Sequence, residues 1–193
     1  MSIINFKDRQ ITYKIVYYGP GYGGKTTNIQ MLHQSIPDEQ RSKLQSVDTE
    51  GDRTLFFDQF DVRIDNPNGL RVRFMVYGVP GQSYYKTTRR MVLQGCDGIV
   101  FVADSTAGRI QDNIDSMDDL EELLTEHNYD YYEIPLVIQY NKRDLPEVES
   151  IEDLEAAINK RGVESIEGVA VQNEGVQETF KAICKQIVAH AAC

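Results

Sequence analysis

Two short stretches carry residues whose types and spacing can do chemistry. The first is Gly19-Pro20-Gly21-Tyr22-Gly23-Gly24-Lys25-Thr26, which satisfies G-x-x-x-x-G-K-[ST]. A glycine-rich loop lets successive backbone N–H groups turn inward around phosphate oxygens. A helix opening at Thr27, directly behind the loop, adds the partial positive charge of its N-terminus. Lys25 can neutralise the outer phosphate oxygens, and the Thr26 hydroxyl can ligate Mg2+.

The second stretch is Asn141-Lys142-Arg143-Asp144. A carboxylate at this point can accept from the ring N–H and the exocyclic amine of guanine. Adenine offers no such donor pair on that edge, so Asp144 selects guanine, and a buried polar group left unpaired rejects the wrong base strongly. Asn141 can bond both neighbouring backbone and the purine, and the Lys142 stem can cover the base face.

Both stretches need elements to position them. Ile11 to Tyr18 is β-branched and aromatic, a strand leading into the glycine-rich loop, and Thr27 to Ile36 has helical spacing. Gln59 to Asp65 and Leu70 to Val76 alternate in polarity around Asn66-Pro67-Asn68-Gly69, the pattern of an antiparallel hairpin. Gly98 to Ala103 and Ile134 to Tyr140 are continuous apolar runs, as in strands buried on both faces. Helical periods follow at Ile110 to His127, Ser150 to Arg161 and Thr179 to Ala192, with a short strand at Ser165 to Val171. The expected fold is α/β: a three-layer domain spanning residues 1–193, with a mixed, mostly parallel sheet of six or slightly more strands. Both chemical stretches then lie at carboxyl ends of strands, where ligands bind in such sheets.

Composition narrows the function classes. The chain has 193 residues, 20 Lys plus Arg against 30 Asp plus Glu, and a formal net charge of −10. That balance argues against electrostatic binding to nucleic acid or anionic lipid. No apolar stretch approaches the roughly 20 residues of a membrane span, so no membrane insertion is expected. Three cysteines, Cys96, Cys184 and Cys193, show no close pairing, as in a reducing compartment. The N-terminus lacks the basic and apolar regions of a signal peptide, and the expected location is cytoplasmic.

With these motifs in place the sequence resembles the Ras-like small GTPases, over nearly its whole length. Within them it looks more like the bacterial MglA group of polarity and gliding-motility GTPases. Lys14 to Gly21, Asp52 to Asp58, Val79-Pro80-Gly81-Gln82 and Ile138 to Pro146 carry that resemblance. It implies a Ras-like G domain that binds GTP and GDP, hydrolyses GTP with Mg2+, and switches conformation. It implies nucleotide contacts from Gly19, Gly21, Tyr22, Gly23, Gly24, Lys25, Thr26 and Thr27, from Gly81, and from Asn141, Lys142 and Asp144. Thr54 matches the switch threonine that meets Mg2+ and the γ-phosphate, and Gln82 the residue that orients the attacking water. Arg53 matches an arginine supplied to the site from the protein's own chain, acting with Gln82 and Lys25 in catalysis. Ala170 matches the backbone amide that contacts the guanine oxygen.

The resemblance also implies partners: effector proteins, and a homodimeric activating protein of the Roadblock (MglB-like) type. It suggests a strand slide of two residues at Gln59 to Asp65 as the switch. The chain departs from the family at one point. Gly78 stands where most relatives place the Asp of D-x-x-G, behind Mg2+. Asp52 and Asp58, flanking Thr54, are the acids available to replace it, with Asp58 assigned to the metal. If neither does, the alternative is a module that holds GTP with negligible hydrolysis. A nucleotide kinase on the same loop lacks a lid-like arginine cluster.

Overall fold

The computed structural model describes residues 3–5, 9–46, 58–65, 71–81 and 85–192. The strands are β1 (Ile3–Asn5), β2 (Gln10–Tyr18), β3 (Gln45–Ser46), β4 (Asp58–Asp65), β5 (Arg71–Gly78), β6 (Gly98–Asp104), β7 (Leu136–Asn141) and β8 (Ser165–Glu167). The helices are α1 (Lys25–Ser35), α2 (Lys86–Leu93), α3 (Ile110–Glu126), α4 (Ile151–Ile158) and α5 (Val176–His190). The sheet runs β3-β4-β5-β2-β6-β7-β8, with β1 also paired to β2. This is the expected six-stranded mixed sheet with β1 and β3 as short additions. Its β2-β5, β2-β6, β6-β7 and β7-β8 pairs are parallel, and β4 joins antiparallel.

Period-two alternation sorts the core into two layers. Val16, Tyr18, Ile99, Phe101, Ile138 and Tyr140 face α2, α3 and α4, against Leu93, Leu120, Leu124 and Leu154. Ile15, Tyr17, Val76, Val100, Val102 and Val137 face α1 and α5, against Ile29, Leu32, Val176 and Ile183. Every residue of β6 and β7 is buried, as their unbroken apolar runs require.

Boundaries shift where local chemistry outweighs periodicity. Helix α4 is capped by Ser150, which accepts from the Asp153 N–H at 3.0 Å, but it stops at Ile158 rather than Arg161. Asn159 ends it by bonding the Val163 N–H and carbonyl through its own side chain. The segment expected as a strand from Ser165 to Val171 pairs with β7 only through Glu167, then forms a 3-10 turn at Ala170–Gln172. Helix α2 gave no sequence signal, because Lys86-Thr87-Thr88-Arg89-Arg90 is polar and contains two β-branched residues. The hairpin turn expected at 66–69 lies outside the described residues, as does Cys193.

Candidate functional site

The glycine-rich loop leaves β2 at Tyr18 and enters α1 at Lys25. Gly24 is in the left-handed region (φ 99°), and a Cβ there would lie 2.2 Å from Asn141 Nδ2. Only glycine allows both the turn and that approach. Asn141, at the end of β7, occupies the space. Its Nδ2 donates to the Gly23 carbonyl at 2.9 Å, across 118 residues of sequence. Its Oδ1 accepts from the Ala170 N–H at 2.9 Å. One buried amide therefore ties together the phosphate loop, the base-reading turn and the segment before α5.

Lys25 is 7% exposed, and its ammonium donates to the carbonyls of Gly19 at 2.8 Å and Pro20 at 2.6 Å. Burial pulls its pKa down to about 7, and the Arg89 charge pushes the same way while Asp104 opposes. A buried cation whose hydrogen bonds, among the described residues, go to carbonyls suits an anion, and a phosphate would restore its charge. A cavity of about 420 Å3 opens beside it, lined by Gly21, Tyr22, Thr26, Thr27, Asp58 and Gly81 among others. The residues present thus fit a phosphorylated ligand.

The fit to Mg2+ is narrower. Thr26 and Asp58 line the same cavity and offer hydroxyl and carboxylate oxygen, the hard donors that this ion prefers. Among the described residues no group of three His, Cys, Asp or Glu converges on one point. Asp58 is the register partner of Gly78 across the β4-β5 ladder. A Cβ at Gly78 would lie 3.7 Å from Asp58 Oδ2 and 2.6 Å from Ile29 Cδ1. The Asp58 carboxylate thus stands beside the place where a residue-78 side chain would begin.

The segment after β5 rests directly on the loop. A Cβ on Gly81 would lie 2.5 Å from Gly21 N and from Lys25 Nζ. Arg89 of α2, 5% exposed, reaches the Pro80 carbonyl at 3.4 Å and binds Asp119 of α3 at 2.9 Å. The Tyr18 hydroxyl donates to the same carboxylate.

At the base-reading turn Lys142 has a positive φ of 71°, and its Nζ binds Asp104 Oδ2 at 2.8 Å. Asp104 ends β6 and is 2% exposed. Burial alone would raise its carboxyl pKa, but hydrogen bonds from Lys142 and Thr106 prevail and lower it. Asp144 is exposed in the turn beyond, beside Gly168 and Val169. The Ala170 amide is given to Asn141, so in this conformation it serves the loop junction. Arg53, Thr54 and Gln82, with Asp52, lie outside the described residues.

The structure thus brings the phosphate loop, Asp58, Gly81, Asn141, Lys142 and Ala170 to one edge of the sheet. Sequence reasoning missed Asp104, Arg89 and Asp119. For Asp104 a signal existed, a carboxylate at the carboxyl end of a fully buried strand. Arg89 and Asp119 carry no motif and are recognised only by what they touch.

Fold and site define a phosphate-loop nucleotide-binding protein. Residues 2–187 match the ADP-ribosylation factor family. The chain is 45% identical over 188 residues to the mutual gliding-motility protein MglA of Myxococcus xanthus, covering 97% of this chain and 96% of that protein. It is 28% identical over 129 residues to the Ras-related protein SEC4 of Saccharomyces cerevisiae, covering 66% of this chain and 58% of that one. The chain belongs to the ADP-ribosylation factor family. It is a small GTPase, a guanine-nucleotide-binding switch that hydrolyses GTP, and the non-hydrolysing alternative is not favoured.

Proposed function

We propose that this chain is one GTPase domain acting in the cytoplasm as a Mg2+-dependent switch for cell polarity and gliding motility. The observation that carries the nucleotide site is the Asn141 junction between the phosphate loop and the base-reading turn. The motility role rests on the 45% identity to a gliding-motility protein. Among the described residues no helix is long and apolar enough to cross a membrane.

In this reading the loop from Gly19 to Thr27 and Gly81 hold the phosphates, with Lys25 neutralising the outer ones. Asn141, Lys142, Asp144 and Ala170 hold the guanine. Thr26, Thr54 and Asp58 serve Mg2+, which neutralises the β and γ oxygens when bound. Gln82 orients water and Arg53 answers the charge that develops on the γ-phosphate. Effectors bind the GTP state, and a Roadblock-type homodimer accelerates hydrolysis by ordering Arg53 and Gln82.

The switch is a two-residue slide of β4 along β5. Phe60 and Val62 pair with Val76 and Phe74 here. A two-residue shift moves the backbone by roughly 6–7 Å and keeps the same side chains inward. Structures of the GDP and GTP-analogue states with identical Phe60 pairing would sink the slide.

The test of the whole reading is to identify the co-purifying nucleotide and follow single-turnover GTP cleavage with and without the homodimeric partner. GDP or GTP in the protein is expected, with GTP cleaved slowly alone and faster with partner. Retention of GTP without cleavage under both conditions overturns it.

A further inference from the structure

Arg109, the residue before α3, makes three contacts at once. Its Nη2 donates to the Gly21 carbonyl at 2.9 Å, across 88 residues of sequence. Its Nη1 lies 2.7 Å from Asp112, and its Nε 3.6 Å from the buried Asp104. The Asp112 contact is an ordinary pair within one helix, and such pairs contribute little. The Gly21 contact is of another kind, because nothing about starting a helix requires it.

Its consequence follows from the peptide plane. In a trans peptide the C=O of Gly21 and the N–H of Tyr22 point to opposite sides. Arg109 holds that carbonyl, so the Tyr22 N–H is turned away from Arg109, and Gly21, Tyr22 and Lys25 line the phosphate cavity. Among the described residues none accepts from this N–H. Tyr22 also sits at φ 64°, a conformation that a non-glycine residue adopts only when something holds it.

The anchor is shared. Asp104 binds Arg109 on one side and Lys142 Nζ on the other. A single buried carboxylate thus sets both the outward clamp on the phosphate loop and the lysine of the base-reading turn.

We propose that Arg109 is a positioning residue for nucleotide binding, which fixes the Gly21-Tyr22 peptide so that the Tyr22 N–H meets the phosphate chain. The proposal rests on nucleotide binding in this loop, and wild-type protein that fails to bind GDP would instead refute that underlying assignment. Arginine is required because its fork can serve a carbonyl and two carboxylates at fixed angles, which the single ammonium of lysine cannot.

The experiment compares wild type, Arg109→Ala and Arg109→Lys by release of a fluorescent GDP and by 31P NMR of bound GDP. Arg109→Lys keeps a charge beside Asp104 and Asp112, and carries the test if Arg109→Ala does not fold. Both variants are expected to release GDP about ten-fold faster, the effect of one lost charged hydrogen bond. The β-phosphorus resonance should move, and the preference for GDP over xanthosine diphosphate should stay. A merely structural role would lower the melting temperature and leave that resonance in place. An unmoved resonance, or release at the wild-type rate, overturns the proposal.

Discussion

The two halves of the sheet are built differently. Strands β6 and β7 are buried along their whole length, so any change of register would place carbonyls and side chains against mismatched neighbours on both faces. Across the sheet, β5 alternates between buried and partly exposed residues. In β4, Phe60 and Val62 are buried, but Ile64 is 46% exposed. The first half carries Asp104, Asn141 and Lys142, and hence the junction with the phosphate loop. The second carries Asp58 and leads to the stretch containing Thr54. The contrast fits the proposed switch, in which one sheet holds a nucleotide firmly and still reports its state. In the proposed reading the groups that recognise sit where two-sided packing fixes them, and those that respond sit beside a strand whose far end, at Arg63 and Ile64, is exposed.

The largest effect that sharpens this contrast is on stability. Phe101→Ala in β6 should cost about 3–5 kcal/mol, the usual range for a fully buried ring, whereas Ile64→Ala in β4 should cost below about 1 kcal/mol. Urea midpoints decide it, and equal losses would erase the distinction.

Next is base selectivity in the fixed half. Asp144→Asn presents an amide donor where a carboxylate accepted. It should weaken GTP binding by about 1.5–3 kcal/mol and shift preference toward xanthine nucleotides. Titration of both nucleotides checks this, and GTP affinity within about two-fold of wild type would break the base-reading assignment.

A smaller effect belongs to the hairpin half. Asp58→Ala should weaken Mg2+ binding about ten-fold, the loss of one charged contact. Gly78→Asp alone should not tighten it, because a second carboxylate would meet Asp58 at close range. The double change should return affinity to within about three-fold of wild type. Metal titration of the nucleotide complex reads all three, and wild-type affinity in Asp58→Ala removes Asp58 from the metal.

The smallest effect is a proton. Lys25 has a pKa of about 7 in the fold, below its ordinary value. The unfolded chain therefore holds more protons above about pH 7, and Lys25 favours the nucleotide-free fold increasingly as pH rises through that window. Phosphate beside the ammonium would restore its charge, so GDP binding at pH 8, where the nucleotide's own phosphates are ionised, should take up close to one proton. Calorimetry in buffers of different ionisation enthalpy measures the uptake. Heats independent of buffer at pH 8 would leave Lys25 already charged.

Much of the site was legible because local covalent chemistry dictates it. A loop that turns N–H groups inward needs its glycines, and a lysine and threonine at its end need a helix to mount them. The apolar runs of β6 and β7 and the alternation of β4 and β5 follow from burial on two faces or one. Helix α2, β1 and β3 escaped notice because they are short or polar.

The sequence by itself determined the class of ligand, the succession of the longer strands and of every helix but α2, and the absence of an acid at position 78. Only the tertiary structure decided what surrounds that gap. The β4-β5 register brings Asp58 opposite Gly78, and register is a property of two strands together that neither segment encodes alone. The same holds for Asn141, whose amide reaches Gly23, and for Arg109, whose guanidinium reaches Gly21. Such contacts depend on chain closure over long separations, which periodicity, a local property, does not record.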